Sequence, residues 1–357
     1  MDLPGQTPPC LISATSARLT PGCTSVVLLV LAVVTSAVGQ AQVEQRTLVT
    51  VTDQPLTGDT SRFDYLSLDS GAHRLYIAHL GAGVILVADT QTHAMVGEIS
   101  GVSGVHGVLA VPELGRVYAS ATDANQVAVI DPNSLAVVAS IPGGEYPDGL
   151  AYDPEVGKLY VSDETGSTAM AIDVNTNQVV ATIALGGEVG NTAFDPASHQ
   201  IFAAIQGRNQ VVAVNPQSDQ VVGRYDTPGC DLPHGLQIDP ARRLAFVGCE
   251  GNAKLAVLDM QAMNVVTLQD VGQVPDVVAF DPVERLLYVA AESGPLSVFA
   301  EDDAGVQLVI RQDVGPNAHS VAVDQQTHHL YVPLANLGGR AVLRELLLTA
   351  PVGGDTN

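Results

Sequence analysis

Seven polar residues stand at equivalent positions along the chain: Asp64, His106, Asp148, Asn191, His234, Asp276 and His319. Imidazoles and carboxylates ligate metal ions, and all seven side chains hydrogen-bond polar ligands. His106, His234 and His319 are therefore candidate ligands of one divalent metal ion, with a position left open for water or substrate. Asp64, Asp148 and Asp276 would orient the imidazoles or bind a hard cation themselves. A second equivalent set is Leu80, Thr122, Glu164, Gln206, Glu250, Glu292 and Ala335. Its glutamates, Glu164, Glu250 and Glu292, are candidate general bases if the site is catalytic. A plainer reading stays open beside this one. Short polar side chains also cap nearby backbone, and the glutamates would then form a solvated acidic rim.

The elements that must position these residues come from a repeat. An aromatic column runs Tyr76, Tyr118, Tyr160, Phe202, Phe246, Tyr288, Tyr331, in steps of 42, 42, 42, 44, 42 and 43. A second column, Asp89, Asp131, Asp173, Asn215, Asp259 and Glu301, keeps the same register and reads as turn chemistry. Each unit holds four short strands. In the third they lie near Gly149–Tyr152, Lys158–Val161, Ala169–Ile172 and Gln178–Ile183. Four strands in about 40–45 residues make a β-propeller blade. The seventh unit has three strands, around Val321, Tyr331 and Val342, and Thr47–Val51 supplies the missing outer one. That pairing closes the ring and removes an edge. The expected fold is all-β: one seven-bladed propeller over residues 44–351 and a polar tail over 352–357. First strands line a central channel, so both polar sets should surround one of its mouths. The histidines of blades 2, 5 and 7 take the most even spacing that three positions on a heptagon allow. Asp153, Asp195, Asp239, Asp281 and Asp324 precede hairpin turns and read as turn residues. His73, His199, His328 and His329 belong to the opposite face.

The third unit, Pro147 to Ile183, with Leu159-Tyr160-Val161-Ser162-Asp163 at its signature, resembles the YVTN-type propeller repeat. The resemblance spans the chain from the first blade to the last. It implies an exported or cell-surface propeller, and recognition as the commonest use. The related virginiamycin B lyase-like and gluconolactonase-like propellers imply a metal in the channel, an analogy of fold alone.

Composition bounds the partners. The chain has 357 residues, 38 acidic against 15 basic, and a net charge of -23. Such a protein repels phosphate backbones and anionic membranes, so nucleic acid is excluded as a partner. An apolar run, Ser25–Val38, followed by small residues reads as a signal peptide within an export segment, residues 1–41, too short for a comfortable membrane span. The mature protein is expected in the periplasm or outside the cell, as a monomer. There Cys230 and Cys249, both assigned to the mouth on blade 5, favour a disulfide over thiolate ligation of a metal. Two functions follow. The first is a binding module whose acidic, His-lined mouth takes a small molecule, protein or glycan. The alternative is a metal-dependent lyase or hydrolase.

Overall fold

The structure is a computed structural model that describes residues 46–350. The export segment and the polar tail of the sequence reading lie outside the described residues.

Burial along each unit shows how the strands are used. In blade 3 the middle strands, Lys158–Asp163 and Thr168–Asp173, are buried almost throughout. Their apolar runs face a neighbouring blade on both sides, which is why they do not alternate. The outer strand, Gln178–Ala184, alternates exposed and half-buried, as a strand with one wet face must. The same division repeats around the ring. There are seven antiparallel sheets of four strands each. The repeat's aromatic residues fill the space between blades: Tyr76, Tyr118, Tyr160, Phe202, Phe246, Tyr288 and Tyr331 are all at most 3% exposed.

The seventh sheet combines Ala322–Val323, Leu330–Leu334 and Val342–Leu348 with the N-terminal strand Leu48–Pro55. Pairing runs from Leu48 opposite Leu348 to Pro55 opposite Val342. The closing strand is longer than Thr47–Val51, because Asp53 continues the ladder. It forms a bidentate ion pair with Arg344, at 2.7 and 2.6 Å. The described residues contain no helix longer than a single 3-10 turn; these turns lie at Leu80–Ala82, Pro112–Leu114, Thr122–Ala124 and Gln206–Arg208.

One irregularity positions the polar ring. In blades 2 to 6 the innermost strand slips register just where the ring residue stands. In blade 3, Pro147 pairs with Asp163 and Leu150 with Val161, so Asp148 and Gly149 together face Ser162. Such a bulge bends the strand and re-aims its side chains. The freed Gly149 N–H donates to Ser162 Oγ at 2.8 Å, and Gly107 N–H to Ser120 Oγ at 2.6 Å. Glycine is required here by close approach. A Cβ on Gly107 would lie 2.2 Å from the Asp148 carbonyl oxygen, and one on Gly235 2.1 Å from that of Asp276.

Candidate functional site at the channel mouth

The bulges and the ends of the second strands build one basin of about 510 Å³. Asp64, His106, Asp148, His234 and Asp276 line it from the ring, and Leu80, Glu164, Gln206, Glu250 and Glu292 from the second set. Asn191 lines the channel below the basin instead. His319, 2% exposed, is packed beside Asp64 and Asp276. Thr122 is spent on structure, donating to the Pro147 carbonyl at 2.5 Å. Cys230 and Cys249 are joined in a disulfide, which ties the loop before the blade 5 inner strand to the end of its second strand.

Four lining residues escaped the sequence reading: Arg62, Tyr65, Tyr146 and Glu188. Tyr65 follows the ring residue of blade 1. At the equivalent place other blades carry Gly107, Gly149, Thr192, Gly235, Val277 and Ser320. A large ring among small neighbours was the available signal. Tyr65 lines both the basin and the chamber below it, so it partitions the channel. Its hydroxyl donates to Asn191 Oδ1 and lies 3.3 Å from His234 Nε2. Arg62 comes from the loop after the closing strand. It donates to Glu292 at 2.7 Å and stands 3.5 Å from Asp276 and 3.8 Å from Asp64.

The three imidazoles do not gather around one point. Among the described residues, two groups of ligating atoms lie within 4.8 Å of one another, and each contains one histidine: Asp64, Asp276 and His319, and His234, Glu250 and Asp276. Even spacing around the ring was an insufficient guide, because local partners decide where each imidazole points. His106 is committed on both nitrogens. Nδ1 lies 2.9 Å from the Gly104 carbonyl, and Nε2 lies 2.8 Å from the Tyr146 hydroxyl. His234 is likewise engaged by the Gln206 amide at Nδ1 and by Tyr65 at Nε2. Only the third, His319, keeps a nitrogen without a partner, Nε2. His79 is fully buried, stacked on Phe63 at 4.1 Å, outside the basin.

The electrostatics follow from crowding acids into a largely buried site. Burial pushes Asp148 from 3.8 up to about 7 and Glu250 from 4.5 up to about 7. Burial, then the Asp276 and Asp148 carboxylates, hold Asp64 well above the usual carboxylate range. Burial by itself would lower His234, but the carboxylates of Asp276, Glu250 and Asp148 outweigh it and raise the imidazole. His106 is lowered by burial. The mouth thus holds acids raised to about neutrality beside an imidazole that the same carboxylates raise.

The opposite face has a different character. The turn aspartates accept backbone N–H bonds as expected, for example Asp195 from Ala197 at 3.0 Å. Three also clamp the next blade: Asp195 pairs with Arg243, Asp281 with His328 at 2.6 Å, and Asp324 accepts from Ser70 Oγ at 2.9 Å. Glu301 departs from its column. It is 4% exposed, and burial together with Asp239 raises it to about 7.

Fold and mouth together define a seven-bladed β-propeller with an acidic, partitioned channel. No model of a known family matches the chain, and no curated protein matches it. Among solved structures, a chain of "Kuenenia stuttgartiensis Hydrazine Synthase" is similar, with a TM-score of 0.72 and 16% identity over 83% of this chain and 98% of that one. At that identity the likeness shows the fold alone.

Proposed function

We propose that the protein is an exported binding propeller of YVTN type, whose channel mouth takes a ligand bearing a positively charged group. The carrying observation is the excess of acidic side chains over basic ones. Asp64, Asp148, Asp276, Glu164, Glu188, Glu250 and Glu292 surround a single arginine, Arg62, in one basin. A buried carboxylate costs free energy unless a cation faces it, so a cationic ligand would offset that cost. The basin is of a size suited to a small molecule, or to one charged side chain of a protein partner. Export is supported by the apolar run Ser25–Val38, and the Cys230–Cys249 disulfide suits an oxidising compartment.

The test is calorimetric titration with butylammonium, guanidinium and tetramethylammonium at pH 7, in buffers of different ionisation heat. Binding should release protons, because the incoming cation favours ionised Asp148 and Glu250. Glu250→Gln should weaken it about tenfold, the loss of one partly buried charge pair. No binding of any of the three, or equal binding by Glu250→Gln and Asp148→Asn, would overturn the reading.

One observation favours the second reading, a metal-assisted lyase or hydrolase. Glu250, raised to about 7, stands 3.8 Å from His234, a gap that one bridging water or substrate group would span for proton transfer near neutral pH. Turnover of an ester or lactone panel that Glu250→Gln abolishes would establish it.

A further inference from the structure

We infer that Asp64, Asp276 and His319 form a binding site for one divalent transition-metal ion at the edge of the channel mouth. The inference deepens the reading of the mouth as a binding site, and it concerns different residues from the even triad of imidazoles.

The three residues belong to consecutive ring positions, on blades 1, 6 and 7, which the closed ring makes neighbours. One ligating atom of each lies within 4.8 Å of the other two. Three ligands at about 2.0–2.2 Å from one ion stand about 3.3–3.8 Å apart, so an inward shift of at most about 0.7 Å per atom completes the site. All three side chains are buried, at 3%, 4% and 2% exposure for Asp64, Asp276 and His319.

The imidazole is prepared for ligation. His319 Nδ1 lies 3.0 Å from the Asn317 carbonyl oxygen. A carbonyl only accepts, so Nδ1 carries the proton and Nε2 carries the lone pair. Nε2 is buried and has no hydrogen-bond partner. A backbone carbonyl that fixes the tautomer through the far nitrogen is the usual support of a metal-bound histidine. Asp276 adds a second orphan, since its buried Oδ1 accepts no hydrogen bond. The cations near the pair make no close hydrogen bond to it: His234 Nε2 lies 3.4 Å from Asp276 Oδ1, where a metal ion would compete with it. Arg62 stands beyond hydrogen-bond reach of both carboxylates and spends its short contact on Glu292.

The same comparison decides against the second group. His234, Glu250 and Asp276 share Asp276, but both nitrogens of His234 already have partners. Two carboxylates and one imidazole are a mixed donor set. It suits Mn²⁺, Fe²⁺ or Zn²⁺ better than Ca²⁺ or Mg²⁺, which prefer oxygen alone.

The experiment strips the mature protein with a chelator and titrates it with Zn²⁺ and Mn²⁺, with Mg²⁺ and Ca²⁺ as comparators. One Zn²⁺ or Mn²⁺ per chain is expected, bound at least tenfold tighter than Mg²⁺ or Ca²⁺. His319→Gln and Asp64→Asn should each weaken it tenfold or more, while His234→Gln leaves it unchanged or tighter. Thermal melts in chelator establish that each variant folds. If His319→Gln does not, crystals of the unaltered protein soaked in Mn²⁺ should show an anomalous peak between the three side chains. No uptake, an ion elsewhere, or loss in His234→Gln with retention in His319→Gln overturns the inference. Metal binding without any organic-cation binding leaves it standing and overturns the cationic-ligand reading; the converse overturns only the metal site.

Discussion

Replacing Asp148 by asparagine should make the protein more stable, and increasingly so as pH rises. Burial lifts this carboxyl from 3.8 to about 7, and the side chain is 3% exposed. A carboxyl raised on folding binds its proton more tightly in the native state. Stability is therefore lost as pH rises from the unfolded value through the folded one, and the loss is complete above about pH 7. At about 1.4 kcal/mol per pK unit, the ionised carboxylate costs up to ~4 kcal/mol at pH 8. At pH 5 it is still protonated in the native state, and the cost is nearer ~1.6 kcal/mol. Asparagine has nearly the same shape and no charge. Any fixed cost of its amide cancels when the two pH values are compared. The advantage of Asp148→Asn over the unaltered protein should thus grow by about 2.5 kcal/mol between pH 5 and pH 8. With an unfolding entropy of about 2.1 cal/mol/K per residue over roughly 300 residues, that is about 4 °C in Tm. Differential scanning calorimetry of both proteins at the two pH values measures it. Parallel Tm profiles, or an advantage that shrinks with pH, would refute the account of a desolvated carboxyl at the mouth.

Other perturbations test the scaffold. Deleting residues 44–52 leaves Val342–Leu348 without most of its outer partner, and calorimetry should show loss of cooperative unfolding; an unchanged cooperative transition would disprove closure by the N-terminal strand. Replacing Cys230 and Cys249 by serine frees a loop of 19 residues' separation, and Tm should fall by about 4–5 °C for the ~3 kcal/mol such a link contributes. Gly107→Ala forces a Cβ to within 2.2 Å of the Asp148 carbonyl oxygen, whereas Gly207→Ala meets nothing within 4 Å. Denaturant titration should show the first variant less stable by about 1–3 kcal/mol and the second within ~0.5 kcal/mol of the unaltered protein.

Much of the molecule was legible along the chain because a propeller repeats what each blade needs. Tyr160 or Phe246 must fill the space between sheets in every unit, so periodicity alone located the blades, their strands and the partner for an incomplete last sheet. The ring from Asp64 to His319 was legible for the same reason. Its position relative to the strands recurs, and in blades 2 to 6 the register slip that aims it recurs with it.

What the linear sequence could not settle is which partner each ring residue meets. Tyr65 reaches Asn191 and His234, 126 and 169 residues away, and Arg62 reaches Glu292 across 230. Both come from the non-repeating entry into the first blade, where periodicity carries no signal. Three histidines that looked equivalent therefore became different groups. His106 is locked by Tyr146, His234 is held among carboxylates, and His319 alone keeps an unused nitrogen. The repeat register, with its columns of Asp and Glu, determined that the mouth would be acidic. Only the closed ring, by excluding water from those acids and bringing the first and last blades together, decided which of them are pushed toward neutrality and which stand close enough to share an ion.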